Sequence, residues 1–376
     1  MNKTLLPKLR FPEFQDAGEW EMKMLGDICD VLNNRRRPIS SDQREKGSYP
    51  YYGASGIVDY VNDFIFDERL LLVGEDGAKW GAFEKTAFLA EGKYWVNNHA
   101  HVLNATGIND VLLENYLTMI DVSPFVTGAA PPKLTLGKLK EIPVPVPSLI
   151  PEQQKIADCL TSLDDLIAAQ SQKVAALQAY KKGLLQNLFP AEGESVPRLR
   201  FPEFEENWDE TSLGSVSDDI SSGKDKNDSN GEYDLYGSTS VIGKTSRDTY
   251  DGSFILVARV GANAGFLTKV NGKFGVTDNT LVLSLNQSTN IDFVFYYLEN
   301  FGLNRLIFGS GQPLITGGQL KSLELFLPNV KEQQRIAELL SALDEQISAQ
   351  GEALAALKVH KKGLLQGLFA GGGGAG

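Results

Sequence analysis

Cysteine, histidine and net positive charge are all scarce in this chain of 376 residues. The two cysteines, Cys29 and Cys159, cannot frame a small disulfide-stapled fold, so a reducing, cytoplasmic setting is expected. Neither cysteine belongs to a cluster with metal-ligand spacing, and Cys159 reads as a small apolar residue. Of the three histidines, His99 and His101 alternate along a predicted strand and so share a face. With no third ligand near them, no metal site is expected. His360 stands on a helix at a place where an earlier copy of the same pattern has Tyr180. No apolar run reaches membrane-spanning length, and the opening MNKTLLPKLRFPEF lacks a signal-peptide core. A formal charge of −12 and a pI near 4.9 weigh against a simple nucleic-acid binder, whose footprint is usually basic. Local basic loops remain compatible with that total when acid elsewhere faces solvent or protein.

Catalytic motifs are missing too. GSTSVIGKT, Gly237 to Thr245, has five residues between its glycines where a phosphate loop needs four, and no helical pattern follows. No glycine-rich strand-to-helix cofactor loop occurs, nor an Asn-Pro-Pro-aromatic tetrapeptide of the amino-methyltransferase kind. The chain is therefore expected to need no cofactor and to catalyse nothing alone.

What the chain has in abundance is repetition. PEQQKIADCLTSLDDLIAAQSQKVAALQAYKKGLLQNLF, Pro151 to Phe189, returns without a gap as KEQQRIAELLSALDEQISAQGEALAALKVHKKGLLQGLF, Lys331 to Phe369. Rich in Ala, Leu, Gln, Lys and Glu, with no proline inside, each copy predicts one helix roughly 55 Å long. Ile156, Leu160, Leu163, Ile167, Val174, Leu177, Leu184 and Leu188 fall at the four-three spacing of a coiled-coil seam. Ile336, Leu340, Leu343, Ile347, Leu354, Leu357, Leu364 and Leu368 repeat it. The seams skip an apolar place at Gln170 in the first copy and at Gln350 in the second. Two arrangements are open: an antiparallel pair with the glutamines face to face, setting register at some cost in stability, or glutamines turned to solvent at the seam edge.

The rest of the chain repeats around those helices. Pro7-Lys8-Leu9-Arg10-Phe11-Pro12-Glu13-Phe14 answers Pro197-Arg198-Leu199-Arg200-Phe201-Pro202-Glu203-Phe204, an extended arm expected to pack on its own domain. Short Val, Ile, Tyr, Phe and Leu runs broken by Gly, Asn, Asp and Ser then predict strands and turns. Leu71-Leu72-Val73 and its glycine-rich sequel match Ile255-Leu256-Val257, and Gly92-Lys93-Tyr94 matches Gly272-Lys273-Phe274. INDVLLENYLTMI and IDFVFYYLENF predict short amphipathic helices. IPVPVP, Ile142 to Pro147, and LELFLP, Leu323 to Pro328, predict final strands leading into the long helices. The expected fold class is α+β, with divisions at 1–150 (first β-rich globule), 151–190 (first long helix), 191–329 (second globule), 330–369 (second long helix) and 370–376 (flexible tail).

Candidate contact residues sit in polar loops of the globules. Arg35, Arg36 and Arg37 precede Pro38, crowding three guanidinium groups where phosphates or guanine edges would partner them. Lys224 and Lys226 of SSGKDKND are their counterparts. Lys79 and Trp80, and Arg259 with Asn263 in ARVGANAG, occupy glycine-rich turns after a strand. Ser55 and Thr239 end the matched Tyr52-Gly53-Ala54-Ser55 and Tyr236-Gly237-Ser238-Thr239, and Lys133 and Gln312 lie in the matched blocks Gly128 to Pro147 and Gly309 to Pro328.

In its duplicated Glu-Gln-Gln helix entry and its arm, globule, helix order used twice, the chain resembles the DNA specificity subunit of type I restriction-modification systems over essentially residues 1–369. The second copy departs slightly, with Asn329-Val330-Lys331 where the first has Ile150-Pro151. The resemblance implies two target recognition domains joined by two long helices that form an antiparallel intramolecular coiled coil. Each domain would read one half of a bipartite double-stranded DNA target while the helix pair fixes the gap. It also implies a non-enzyme that recruits two methyltransferase subunits, which carry the S-adenosylmethionine site, and then motor-nuclease subunits. These loop residues would then contact DNA. A coiled-coil protein scaffold without a DNA role is the competing class, favoured by acidity and opposed by the arginine triplet; a self-sufficient nuclease or methyltransferase is disfavoured by the missing motifs.

Overall fold

The computed structural model describes residues 5–307 and 313–370. The chain forms two compact units, Met1–Ser171 with Glu352–Gly376, and Gln172–Gly351. Each unit therefore takes the first half of one long helix and the last half of the other.

The long helices run Ile150–Leu188 and Val330–Leu368, each 39 residues. All the seam positions, Gln170 and Gln350 included, are buried or half-buried among mostly exposed neighbours. Within the first unit Ile156 and Leu160 share a core with Leu365, Leu368 and Phe369, and Lys361 Nζ lies 2.6 Å from Asp164 Oδ1. Rising numbers on one helix meet falling numbers on the other, so these segments run in opposite directions. The second unit repeats the arrangement: Leu184, Leu188 and Phe189 pack with Ile336 and Leu340, and Lys181 Nζ lies 2.8 Å from Asp344 Oδ1. At the helix ends burial spreads beyond the seam to Leu185, Ala157, Ala337 and Leu365, because a globule covers a second helix face there.

In the first unit, strands Cys29–Val31, Ala100–Ala105, Leu70–Gly74 and Ala87–Ala90 form one sheet, in that order. A second sheet holds Gly56–Val61, Lys46–Gly53, Lys93–Val96 and Phe66–Asp67, with Tyr51 opposite Trp95 in a parallel pair. The second unit fuses the same order into one six-stranded sheet, since Tyr250–Ala258 and Leu267–Val276 run on where the first unit's strands break. The second sheet of the first unit and the six-stranded sheet are mixed, because Tyr233–Tyr236 likewise pairs parallel with Leu267–Val276, while the sheet holding Leu70–Gly74 is antiparallel throughout. Helices Asp110–Met119 and Ile291–Phe301 pack under the sheets, as their periodicity predicts. Among the described residues the closing strand Pro143–Val146 has Glu21–Met24 as its one neighbour, and Glu324–Leu327 has Asp209–Ser212. That suits Pro143 and Pro145, which cannot donate to a second ladder.

The Glu-Gln-Gln entry is a mounting bracket. Glu152, 1% exposed, accepts from Arg10 Nε at 2.7 Å, Arg10 Nη2 at 2.8 Å and Trp20 Nε1 at 3.2 Å. Gln153 accepts from the Asn109 backbone N–H and donates to the Pro147 carbonyl, while Gln154 accepts from the Asn109 side chain. Asn109 is the N-cap of the short helix, so three consecutive side chains lock arm, short helix and long helix together. Glu332, Gln333 and Gln334 repeat every one of these contacts with Arg200, Pro328 and Asn290, except that Trp208 Nε1 has no hydrogen-bond partner among the described residues. The arms add a backbone bond each, Leu9 N–H to the Gly367 carbonyl and Leu199 N–H to the Asn187 carbonyl.

Candidate nucleic-acid interface

In each unit three loops meet at one end of the sheet, held by the same backbone hydrogen bonds. Asn97 N–H donates to the Tyr52 carbonyl as Thr277 N–H does to Tyr236. Glu75 N–H donates to the His99 carbonyl as Arg259 N–H does to Asn279. Leu134 N–H donates to the Glu75 carbonyl as Ile315 N–H does to Arg259, and the bridges Asp76–Lys133 and Val260–Leu314 match. The three loops are the hairpin tip at Ser55 or Thr239, the glycine-rich segment after Leu70–Gly74 or Tyr250–Ala258, and the turn before Ala100–Ala105 or Thr280–Leu285; a fourth segment, at Lys133 and Leu134 or at Leu314 and Ile315, bonds to the glycine-rich one. Gly74 is needed for this convergence: a Cβ there would meet the Ala54 carbonyl oxygen at 2.8 Å and the Ala78 Cβ at 2.4 Å.

On this common frame the first unit carries a closed ionic network. Glu75 Oε2 lies 2.7 Å from Arg36 Nη1 and Oε1 lies 2.8 Å from Lys133 Nζ. Burial disfavours the Glu75 anion, but hydrogen bonds from Arg36 and Lys133 outweigh it and hold the carboxyl below its ordinary range. Beneath it His101, 1% exposed, donates from Nε2 to the Leu134 carbonyl at 2.7 Å and accepts at Nδ1 from Asn33 Nδ2 at 2.9 Å. A ring that donates at one nitrogen and accepts at the other is neutral, and burial pushes its pKa down.

Several expectations change here. The arginine triplet does not present three free guanidinium groups: Arg35 pairs with Glu68 at 2.7 Å and stacks over Phe66, and Arg36 is committed to Glu75. Arg37 alone stays exposed without a side-chain partner among the described residues. Trp80 is 9% exposed and donates Nε1 to the Gly74 carbonyl, so it supports the loop from beneath. Lys133 is tied to Glu75 and Asp76. His99 and His101 do not share a strand face, because His99 lies in the turn before the strand and hydrogen-bonds Asp76 while His101 is buried. Lys79 is exposed, with Glu84 at 3.8 Å, and Ser55 is exposed at its tip.

The second unit is more open. Lys224, Lys226, Thr239 and Asn263 are exposed, and Arg259 is half-buried. Asp225 between the two lysines faces inward, accepting from Thr249 at 2.7 Å and from the Val276 N–H at 2.9 Å, so it does not neutralise them. Gln312 lies outside the described residues. Glu75 is not among the sequence candidates, although it stands two places after its apolar triplet, as Arg259 does after the matching one. A cavity of about 1010 Å³ in the second unit, lined by Arg198, Tyr297, Arg305 and Glu324 among others, shares no residue with this loop cluster. Among the described residues no group of His, Cys, Asp and Glu is arranged to hold a metal ion, and no helix is long and apolar enough to cross a membrane.

Two mixed-sheet units on a duplicated helical mount, each presenting polar loops at one sheet end, define a two-module recognition protein. The model of the type I restriction modification DNA specificity domain matches residues 17–179 and again 205–358, and the chain belongs to that family. It is a restriction-modification specificity subunit with two target recognition domains. A type I restriction enzyme specificity subunit of Methanocaldococcus jannaschii is 26% identical over 96% of this chain and 94% of its own. A protein of Haemophilus influenzae named as such a subunit is 39% identical over 43% of this chain and 41% of its own length. Among solved structures, the type I system S subunit of M. genitalium matches 96% of this chain and 98% of its own with a TM-score of 0.68 at 15% identity, a likeness of fold.

Proposed function

We propose that each unit reads one half of a bipartite site in double-stranded DNA, and that the two long helices pair antiparallel along their length to set the gap. The observation that carries this is the pairing of one backbone frame with two unlike sets of side chains: a frame kept twice supplies the same approach to DNA, and different loops supply different half-sites. Major-groove edges present a distinct donor and acceptor pattern for each base pair, which loops of this kind can read, while lysine and arginine grip phosphates. Arg37, Ser55, Lys79, Lys224, Lys226, Thr239, Arg259 and Asn263 are the contacts we assign. A stiff helix pair places both half-sites on one face of the duplex, about one helical turn apart. Gln170 and Gln350 facing each other would fix its register.

The chain itself is the reader, in the cytoplasm. Two methyltransferase subunits docked on the helix pair and neighbouring globule surfaces carry the chemistry, and motor-nuclease subunits complete the assembly. An acidic total accords with a surface that faces mostly protein. The test is a matched seven-residue insertion after Gln170 and after Gln350, which preserves the seam phase and lengthens the pair by about 10 Å. Methylation over a spacer series should then prefer a gap longer by about three base pairs, with both half-sites unchanged. An unchanged gap preference refutes the ruler. A gel shift with and without the methyltransferase subunits separates this reading from a scaffold that binds no DNA.

A further inference from the structure

Each closing strand pairs along one edge among the described residues, and the two free edges differ in chemistry. In the second unit Leu213 N–H donates to the Leu323 carbonyl, while Glu324 stands opposite Ser212 and Phe326 opposite Glu210. Backbone groups alternate in direction along an antiparallel strand, so those of Glu324 and Phe326 point away from Asp209–Ser212. In the first unit Leu25 N–H donates to the Ile142 carbonyl in the same way, which puts Pro143 and Pro145 at the outward places. Two prolines leave that edge without an N–H to offer, a device that keeps a sheet edge from pairing with another chain. The second unit keeps its donors.

The open edge borders the cavity of about 1010 Å³, whose wall includes Glu324, Phe326, Tyr297, Phe301 and Asn300. Glu324 is exposed and Phe326 half-buried, so the edge can be reached from solvent. Phe326 N–H donates to the Tyr297 hydroxyl at 3.3 Å, and no other outward group of the two residues has a protein partner among the described residues. The Tyr297 hydroxyl proton has no acceptor there either. Charge decides what kind of segment fits. Arg305 and Arg198 on the cavity wall already pair with Glu192 and Glu194. Glu324 has no ion pair among the described residues, and neither has Glu210, the register partner of Phe326. Opposite residues of a strand pair project to one face, so two unpaired carboxylates flank the Phe326 ring. The first unit has Met22, Met24, Pro143 and Pro145 at these places, with no charge among them.

We propose that the second unit captures one extended, basic segment of a partner protein by adding it as a third strand beside Glu324–Leu327. Glu324 exchanges both backbone hydrogen bonds with the segment, and Tyr297 O–H donates to a further carbonyl. A lysine or arginine meets the Glu324 carboxylate, and an apolar side chain two places along lies against Phe326 and Phe301. Because the first unit's edge is closed by proline, one segment binds per chain. The cavity shares no residue with the loop cluster, so this capture is separate from DNA recognition.

The experiment titrates a fluorescein-labelled peptide, SKTLTKS, with the full chain and follows fluorescence anisotropy. Its lysines and leucine share one face of a strand, and its pattern reads alike in both directions. Saturable binding of one peptide per chain is expected, with the glutamate analogue SETLTES about tenfold weaker or more. Glu324→Pro, which gives this edge the residue of the first unit, should weaken binding about tenfold or more, and Glu324→Gln about threefold to tenfold. Methylating the backbone nitrogen of both peptide lysines should cost about tenfold as well, a test that needs no variant protein. Undiminished binding of the methylated peptide, or by a Glu324→Pro chain whose circular dichroism matches wild type, overturns the added strand. Equal binding of SETLTES overturns the basic preference, two peptides per chain overturn the confinement to the second unit, and no saturable binding overturns the site.

Discussion

Replacing Glu152 by Ala should be among the most damaging single changes in the first unit, and the structure sets the magnitude. The Glu152 side chain is 1% exposed and that of Arg10 is 9% exposed, so the variant leaves a guanidinium buried without its counter-ion. Breaking a buried pair from one side costs about 3–5 kcal/mol. Trp20 Nε1 loses its acceptor as well, about 1 kcal/mol or more. We expect about 4–6 kcal/mol in all, read as a lower urea midpoint at constant slope by circular dichroism and tryptophan fluorescence. Arg10→Ala should cost about as much, and the double variant less than the sum, by about 2 kcal/mol or more, because it leaves neither charge stranded. Glu332→Ala should be milder, since Arg200 is 18% exposed and Trp208 Nε1 has no bond to lose. A Glu152→Ala cost below about 1 kcal/mol, or additive single variants, would refute the bracket as the joint between arm and helix.

Two further outcomes follow from the same geometry. His101 is buried neutral with its pKa pushed down, so the unfolded chain binds the extra proton first as pH falls through the ordinary histidine value of about 6.5. The stability contribution is therefore present above that value and lost below it, by up to about 1.4 kcal/mol per pH unit, until the folded pKa is reached. Urea midpoints at pH 7.5, 6.5 and 5.5 should fall more steeply for wild type than for His101→Gln; parallel lines would contradict this. Gln153→Ala removes the acceptor for the Asn109 N–H and the donor to Pro147, and should cost about 1–3 kcal/mol in thermal or urea unfolding, with Gln333→Ala matching it because the contacts are the same.

What could be read from the sequence was whatever repeats locally. The long helices were legible because a four-three apolar stripe, interrupted at Gln170, extends along 39 residues and returns with the same interruption at Gln350. The closing strands and short helices were legible for the same reason. The bracket was not, because Glu152 meets Arg10 142 positions away and Gln153 meets Asn109 44 positions away, and no local pattern reports such partners. The arginine triplet misled for a like reason: Glu68 and Glu75 lie far along the chain from Arg35 and Arg36, yet the fold brings them within 2.7 Å and turns two apparent ligand cations into internal supports. Trp80 had a glycine-rich context that suits ligand approach, but the Gly74 carbonyl claims its N–H.

The most direct measurement is single-molecule mapping of DNA methylation in cells that carry this chain with its methyltransferase subunits, beside cells that lack it. We expect one asymmetric motif that depends on the chain, made of two short defined halves separated by a constant number of unspecified base pairs, and exchange of residues 191–329 for those of a relative should change one half only. A continuous motif, or a methylation pattern that does not depend on the chain, would contradict it.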